Sequence, residues 1–212
     1  MIPPIDHTHL MLATLARAPF TREGWIFEIK YDGYRALVRK DGDQVALVSR
    51  NGNSLNGSFP DIVAALEAVP GSFVWDAELT VDEADGRPSF ELLQQRARIR
   101  VPLRVRAAAR EQPARLYVFD MLASGREDVR RMRLLERKAM LRESFMDTKV
   151  IVYTGGVEEH GELAFQHAAT LDLEGVMAKR LDAPYTAGRT RDWLKMKNPH
   201  YSRPAALGWG RM

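Results

Sequence analysis

The chain contains no cysteine. That excludes a disulfide framework and any thiolate-held metal, and it fits a reducing compartment. Also missing are the glycine-rich loops that most often cradle nucleotide phosphates: there is no G-x-x-x-x-G-K-[ST] and no G-x-G-x-x-G after a strand. No apolar run approaches the roughly 20 residues a membrane-crossing helix needs. The opening MIPPIDHTHLMLATLARAPF has no basic leader and no long apolar stretch, and Pro3-Pro4 interrupts it, so it does not read as a signal peptide. Internal repeats and low-complexity linkers are absent. A strong charge of one sign is absent too: 31 Lys and Arg against 28 Asp and Glu leave +3, a weak pull on an anionic partner. The five histidines include no convincing metal-ligand spacing; His160 and His167 can share a helix face but lack a third ligand. What remains is an expectation of a monomeric, cytoplasmic globular protein with no membrane association.

What is present is ordinary in bulk. The 212 residues, 45% hydrophobic and 28% charged, suffice for one large domain or two small ones. Alternation predicts strands over 25–31, 34–40, 44–49, 72–82, 115–121, 149–153, 174–180 and 192–198. Helical patterns cover 61–69, 89–98, 133–145 and 158–170, the first announced by Ser58, Pro60 and Asp61. Asp-Gly-Asp at 41–43 is a hairpin turn. Strands and helices mix without strict β-α-β alternation, so the expected class is α+β with mainly antiparallel sheets.

One strand poses a chemical question. From Trp25, alternation puts Trp25, Phe27, Ile29 and Tyr31 on one side and Ile26, Glu28, Lys30 and Asp32 on the other. Three aromatics on the first side press it to a core. The second side then carries an amine between two carboxylates, followed at once by Gly33. Such a strand is either a solvated edge or the seat of a placed nucleophile.

The rest of the chain bears on that choice. KYDGYR (30–35) resembles the K-x-D-G-x-R nucleophile motif of covalent nucleotidyltransferases: ATP-dependent DNA ligases, RNA ligases and mRNA capping enzymes. SRNGNSL (49–55), DAEL (76–79), YVFDML (117–122), EGVMAKR (174–180) and WLKMKN (193–198) resemble the family's further motifs, in the family's order. The flanking MLATLARAPF, GRPSFELLQQR and LLERKAML look most like the ligase domain of bacterial end-joining DNA ligases. The resemblance covers residues 28–198, and it implies the ligase and capping-enzyme nucleotidyltransferase fold, similar to ATP-grasp.

It also implies roles. Lys30 would attack the α-phosphate of ATP, giving lysyl-AMP and pyrophosphate; AMP would pass to a DNA 5′-phosphate, and a 3′-OH would displace it in nick repair. Asp32 is the second catalytic candidate. Glu28, Ile29, Arg35, Arg50, Glu78, Phe119, Met177, Lys195 and Lys197 would bind the nucleotide. Phe119 would stack on adenine with Met177 opposite, and Glu28 would accept from the adenine amino group. Arg35 and Arg50 would hold sugar and phosphates. Glu78 and Glu174 would hold Mg²⁺ or Mn²⁺, since a hard cation takes one or two carboxylates plus substrate phosphates. Taken singly, Phe119 and Met177 read as core, Glu78 and Glu174 as strand carboxylates, and Lys195 and Lys197 as a solvated face. The joint order reverses those readings; Asp120 and Lys179 match the pattern without an assigned role. A free lysine is protonated at neutral pH and must be activated. Lys195 and Lys197 would help; Glu28 and Asp32, if near, act against it.

Two features stand apart from the family pattern. DAEL places Ala77 where these bacterial ligases usually have Gly. No OB-fold domain is expected after Lys197, so residues 1–200 read as an adenylation domain and 201–212 as an irregular tail. A partner would then supply the OB-fold or a DNA-binding surface. The intervening QQRARIRVPLRVRAAAR (94–110) carries Arg96, Arg98, Arg100, Arg104, Arg106 and Arg110. A phosphate-backbone surface and a solvated helix and loop stand equal there. Three functions stay open: a DNA-ligase adenylation domain, a nucleotidyltransferase acting on RNA ends, and a weakly catalytic nucleotide- or DNA-binding accessory module.

Overall fold

Asp41-Gly42 turns the chain back on itself. Gly42 takes the left-handed conformation (φ +60°), and strands β3 (Tyr34–Asp41) and β4 (Gln44–Ser49) zip antiparallel from Asp41 opposite Gln44 to Ala36 opposite Ser49. In the computed structural model, which describes residues 1–203, a 3₁₀ turn (His7–His9), β1 (Met11–Leu15) and β2 (Trp25–Ile29) precede this hairpin. After it come α1 (Pro60–Glu67), β5 (Phe73–Val81), α2 (Phe90–Arg98), α3 (Pro102–Glu111), β6 (Ala114–Ser124), β7 (Glu127–Asp128) and α4 (Leu134–Ser144). The remaining elements are β8 (Ile151–Tyr153), β9 (Gly156–Glu158), α5 (Gly161–Thr170), β10 (Gly175–Arg180) and β11 (Gly188–Lys197).

The strands make two sheets. One runs β1-β11-β10-β2-β9; the other runs β4-β3-β5-β6-β7, with β8 also on β6. All pairings are antiparallel except β1 with β11 and β6 with β8. The expected α+β class with mainly antiparallel sheets is what the chain adopts.

Three apolar clusters stack the layers. The largest lies where Ile62 and Leu66 of α1, Leu93 of α2 and Leu141 of α4 cover Trp75, Phe73 and Leu116 of the larger sheet. A second lies between the sheets, joining Leu37, Val74 and Leu122 to Met11, Tyr185 and Trp193. In the third, Ala168 of α5 meets Trp25, Phe27, Val176 and Met196. Each sheet is therefore covered on both faces over its centre.

That double cover corrects the reading of β2. Trp25 and Phe27 are buried as expected, but so are Ile26 and Glu28, while Ile29 is 41% exposed. Tyr31 lies beyond the strand's end, with its ring stacked on Tyr117 at 3.8 Å. Period-two alternation marks a solvated face only when one side meets water.

Other differences are local. Ser58 does not cap α1; Pro60 at the first turn starts the helix, and the Ser58 hydroxyl donates to the Ala97 carbonyl (3.3 Å). Strands β6 and β11 are longer than their apolar strings, and β1, β7 and β9 were not legible as strands. The arginine segment holds a second helix, α3, begun by Pro102. Of the expected tail, residues 201–203 have no helix or strand but are tied down by hydrogen bonds; 204–212 lie outside the described residues.

Candidate active site

Between the sheets opens a cleft of about 1170 Å³. Nine of the twelve expected site residues line it: Glu28, Ile29, Lys30, Arg35, Arg50, Glu78, Phe119, Met177 and Lys195. They come from both sheets. Strand β2 delivers Glu28 and Ile29, and Lys30 follows where the strand ends, its N–H donating to the Gly175 carbonyl (3.0 Å). From the other sheet, Arg35 on β3 stands opposite Glu78 on β5. The glycine after Asp32 is sterically required, because a Cβ on Gly33 would collide with the Leu79 carbonyl oxygen.

Of the other three, Glu174 and Lys197 join the cleft through Lys30, and Asp32 lies outside its lining, two residues along the chain from Lys30. Lys30 is ion-paired with Glu174 through Oε2, and Lys197 Nζ lies 3.3 Å from Oε1 of the same carboxylate. Asp32, 8% exposed, accepts from the Tyr201 hydroxyl at 3.1 Å. Burial, then the Glu174 charge, raises the Asp32 carboxyl above its ordinary value. At Lys195, burial lowers the ammonium pKa, and Lys197 and Lys30 lower it further. The two basic residues of β11 thus differ: Lys197 is engaged by Glu174, and Lys195 is the crowded cation of the cleft.

The Glu78 carboxyl group makes no hydrogen bond to a described residue. Burial pushes its carboxyl up to about 8, with Glu174 and Asp76 adding to the shift against the pull of Lys30 and Arg35. At neutral pH it is mostly protonated, so a cation binding there must displace that proton.

Deeper in the cleft the structure adds partners that the motifs did not reveal. The Arg35 fork is already engaged: Nε donates to Asp76 Oδ1 (2.8 Å), Nη2 to Oδ2 (2.5 Å) and to the Tyr185 hydroxyl (3.2 Å). The Arg35 guanidinium lies 5.4 Å from the Phe119 ring centre, and Lys179 Nζ 4.3 Å from it. Met177 packs into the same cluster as Phe119. Glu28, only 2% exposed, is held by two lysines: Lys138 Nζ donates to Oε1 (2.5 Å), and Lys179 Nζ lies 2.5 Å from Oε2. Lys138 also donates to the Thr154 carbonyl (2.8 Å). Burial tends to discharge both ammonium groups. At Lys138 burial is opposed by the Glu28 charge and hydrogen bond together with Tyr153 and Asp120, and the pKa is raised; at Lys179 burial wins and the pKa is lowered.

Lys138 was missed, though a signal existed. Leu134, Lys138 and Leu141 share one helix stripe (i, i+4, i+7), so a lysine sits on the buried face of α4. The next residue back, Arg137, forms a fully buried fork on Asp120 (2.8 and 2.9 Å), which gives Asp120 an anchoring role for that helix.

The six arginines divide. Arg96 is 1% exposed, ion-paired with Asp61 and bonded to the Gln112 carbonyl (2.7 Å), so it belongs to the core and leaves the proposed phosphate surface. Arg98 and Arg100 line the outer end of the cleft, and Arg104, Arg106 and Arg110 are exposed on α3.

Among the described residues no cluster of three or more His, Cys, Asp or Glu side chains is placed to hold a metal ion, and no helix is long and apolar enough to cross a membrane.

Comparison with known proteins places the chain among relatives of one kind. Residues 10–197 match the model of the ATP dependent DNA ligase domain family. The chain is 33% identical to DNA ligase C1 of Mycolicibacterium smegmatis, over 98% of this chain and 60% of that protein. It is 30% identical to the bifunctional non-homologous end joining protein LigD of Bacillus subtilis, over 89% of this chain and 34% of that protein. Among solved structures, the ligase domain of M. tuberculosis LigD superposes with a TM-score of 0.75 at 29% identity, covering 90% of this chain and 59% of that one. A mycobacterial DNA ligase D complexed with ATP and MES gives the same TM-score, 0.75. This chain therefore spans between a third and three-fifths of the length of these relatives.

Proposed function

The chain belongs to the ATP-dependent DNA ligase family, and we propose that its cleft takes AMP from ATP onto Lys30 and hands it to the 5′-phosphate of nicked DNA. The observation that carries this reading is the meeting, at one end of an inter-sheet cleft, of Lys30 with Glu174 and Lys197, while Phe119 and Glu28 line its depth.

In the first step the Lys30 amine attacks the α-phosphorus. A P–N bond forms, the P–O bond to pyrophosphate breaks, and the amine gives up its proton. That requires the ion pair with Glu174 to open, because the lone pair is unavailable while the ammonium is bound there. Lys195 faces the cleft and meets phosphate charge; its own ammonium, crowded by Lys197 and Lys30, is stabilised when an anion arrives. Phe119 and Met177 supply apolar faces for the base. In the second step a 5′-phosphate oxygen attacks the adenylate and the P–N bond breaks, regenerating Lys30; a 3′-OH then displaces AMP and closes the backbone.

Glu78 and Glu174 would hold Mg²⁺ or Mn²⁺. The donor set fits: two carboxylates, coupled in charge to each other and to Lys30, suffice for a hard cation completed by phosphates and water. Such a cation, when bound, neutralises charge developing on the phosphoryl oxygens. Glu174 must then release Lys30 or Lys197, which links cation binding to freeing the nucleophile.

DNA is favoured over RNA as acceptor because the relatives matched include proteins named as DNA ligases. The intact set of Lys30, Glu78, Glu174, Lys195 and Lys197 argues against an accessory module. Full sealing is assigned to this unit acting with an OB-fold or DNA-binding surface, in a cytoplasmic setting. The test is a two-stage labelling. Incubated with α-labelled ATP and Mg²⁺, the protein is expected to acquire covalent label, which unlabelled nicked duplex then draws onto its 5′-phosphate. Label that never forms, or that moves only to nicked RNA, overturns the reading.

The exposed arginines at the outer end of the cleft extend it. Arg98 and Arg100 line the cleft, are exposed, and are assigned to the acceptor backbone. Their joint replacement by Ala is expected to weaken nicked-duplex binding and to lower the log-affinity against log-salt slope by about 2, near 0.9 per phosphate lost. An unchanged slope would mean that neither side chain contacts a DNA phosphate.

A further inference from the structure

The residues that follow β11 form a clasp across the two sheets. Asn198 donates from its backbone N–H to the Glu174 carbonyl (2.9 Å) and from Nδ2 to the Leu173 carbonyl (3.1 Å). Ser202 N–H donates to Asp172 Oδ1 (2.9 Å), in the turn between α5 and β10, where Asp172 itself is left-handed (φ 52°). Arg203 then reaches both sides: Nη2 donates to the Asp172 carbonyl (3.2 Å), and Nη1 to the carbonyl of Pro88, beyond β5 of the other sheet (3.3 Å). An ion pair to Glu83 at 3.8 Å adds to the second attachment.

Tyr201 sits inside this clasp with the Arg203 guanidinium 5.6 Å from its ring centre. Its hydroxyl donates to Asp32 Oδ2 at 3.1 Å. That is the hydrogen bond the Asp32 side chain makes among the described residues, and Asp32 is almost fully buried. A buried carboxylate needs a donor to fix its orientation. Without one, its orientation is left to the surrounding charges, with Lys30 and Lys197 attracting it and Glu174 repelling it. Tyr201 does not line the nucleotide cleft. Among the described residues its hydrogen bond to the site runs to Asp32, two residues along the backbone from the nucleophile.

We propose that Tyr201 is a positioning residue: its O–H holds the Asp32 carboxylate in place beside Lys30, so that the amine is aimed into the cleft for its attack on the α-phosphate. The proposal rests on the reading of Lys30 as nucleophile. It makes the backbone clasp, and not a strand or helix, the support of one wall of the nucleophile's site.

The test is a double-mutant cycle on the full chain: wild type, Tyr201→Phe, Asp32→Ala and the double variant. Single-turnover transfer of label from α-labelled ATP to protein is measured at saturating ATP, and ATP affinity in parallel. Tyr201→Phe is expected to slow label transfer about 10-fold or more, as loss of one hydrogen bond to a charged group at a reacting centre does. ATP affinity is expected to stay unchanged, and the same substitution is expected to have no further effect on the Asp32→Ala background. Wild-type rates in Tyr201→Phe overturn the proposal. So does an equal loss on both backgrounds, or a loss confined to ATP affinity. If wild-type protein takes no label, the nucleophile reading has failed and this proposal falls with it; a labelled wild type with an unaffected Tyr201→Phe fails the proposal alone.

Discussion

Lys30→Ala is expected to take covalent labelling from α-labelled ATP to background, a loss of at least about 10⁴-fold, because a covalent mechanism has no substitute for its nucleophile. Lys195 and Lys197 are the amines whose charges act beside Lys30, and both are poorly suited to replace it. Lys197 is ion-paired with Glu174. Lys195 is the better candidate, since burial lowers its pKa and the Lys197 and Lys30 charges lower it further. Removing Lys30 removes one of those charges, so Lys195 holds its proton more firmly in the variant than in the wild type. Lys30→Arg separates charge from chemistry. It keeps a cation against Glu174 and is expected to retain ATP binding while losing the label. Peptide mapping of the labelled wild type completes the experiment: label at any residue other than Lys30 defeats the assignment.

The second large effect is on stability. Glu28→Ala leaves Lys138 and Lys179 buried without their carboxylate. Breaking a buried ion pair by removing one partner costs about 3–5 kcal/mol, because the uncompensated charge stays behind. Here two cations lean on one anion, so the upper part of that range is expected, read as a fall in the urea midpoint. Lys179→Met is the informative contrast. Lys179 contacts Glu28 without hydrogen-bond geometry, and burial already works against its charge. Its removal leaves a balanced Glu28–Lys138 pair and is expected to change stability by less than about 1.5 kcal/mol, within the range of volume-conserving swaps. Equal losses in the two variants would mean that Glu28 stabilises the fold by packing and not by charge.

Much of this site is legible in short strings. KYDGYR, DAEL, EGVMAKR and WLKMKN name the amine, the carboxylates and the basic pair, and their order identifies the family. The hairpin at Asp41-Gly42 and the strands flanking it follow from turn chemistry and alternation. Sequence reading failed where burial is two-sided. Alternation presses Ile29 to the core and gives Glu28 an open face, whereas Ile29 is exposed and Glu28 is buried; the motif that names both as nucleotide-binding puts them correctly in the cleft. It failed also where a partner is remote: Lys138 stands 110 residues from Glu28, and Tyr201 stands 169 residues from Asp32. Arg96 read as one of six equivalent cations and proved to be a core residue tied to Asp61.

By itself the sequence determined the chemical inventory of this protein and the α+β class, because local motifs fix which groups are present and side-chain periodicity fixes which elements carry them. Only the tertiary structure decided what covers each face and which charges meet: that Lys30 lies on Glu174, that two lysines converge on Glu28, that Arg35 is clamped by Asp76, and that a clasp after β11 reaches back to Asp32. The physical reason is that burial and electrostatic pairing depend on distance in space, and the packing of two sheets sets those distances between residues far apart along the chain.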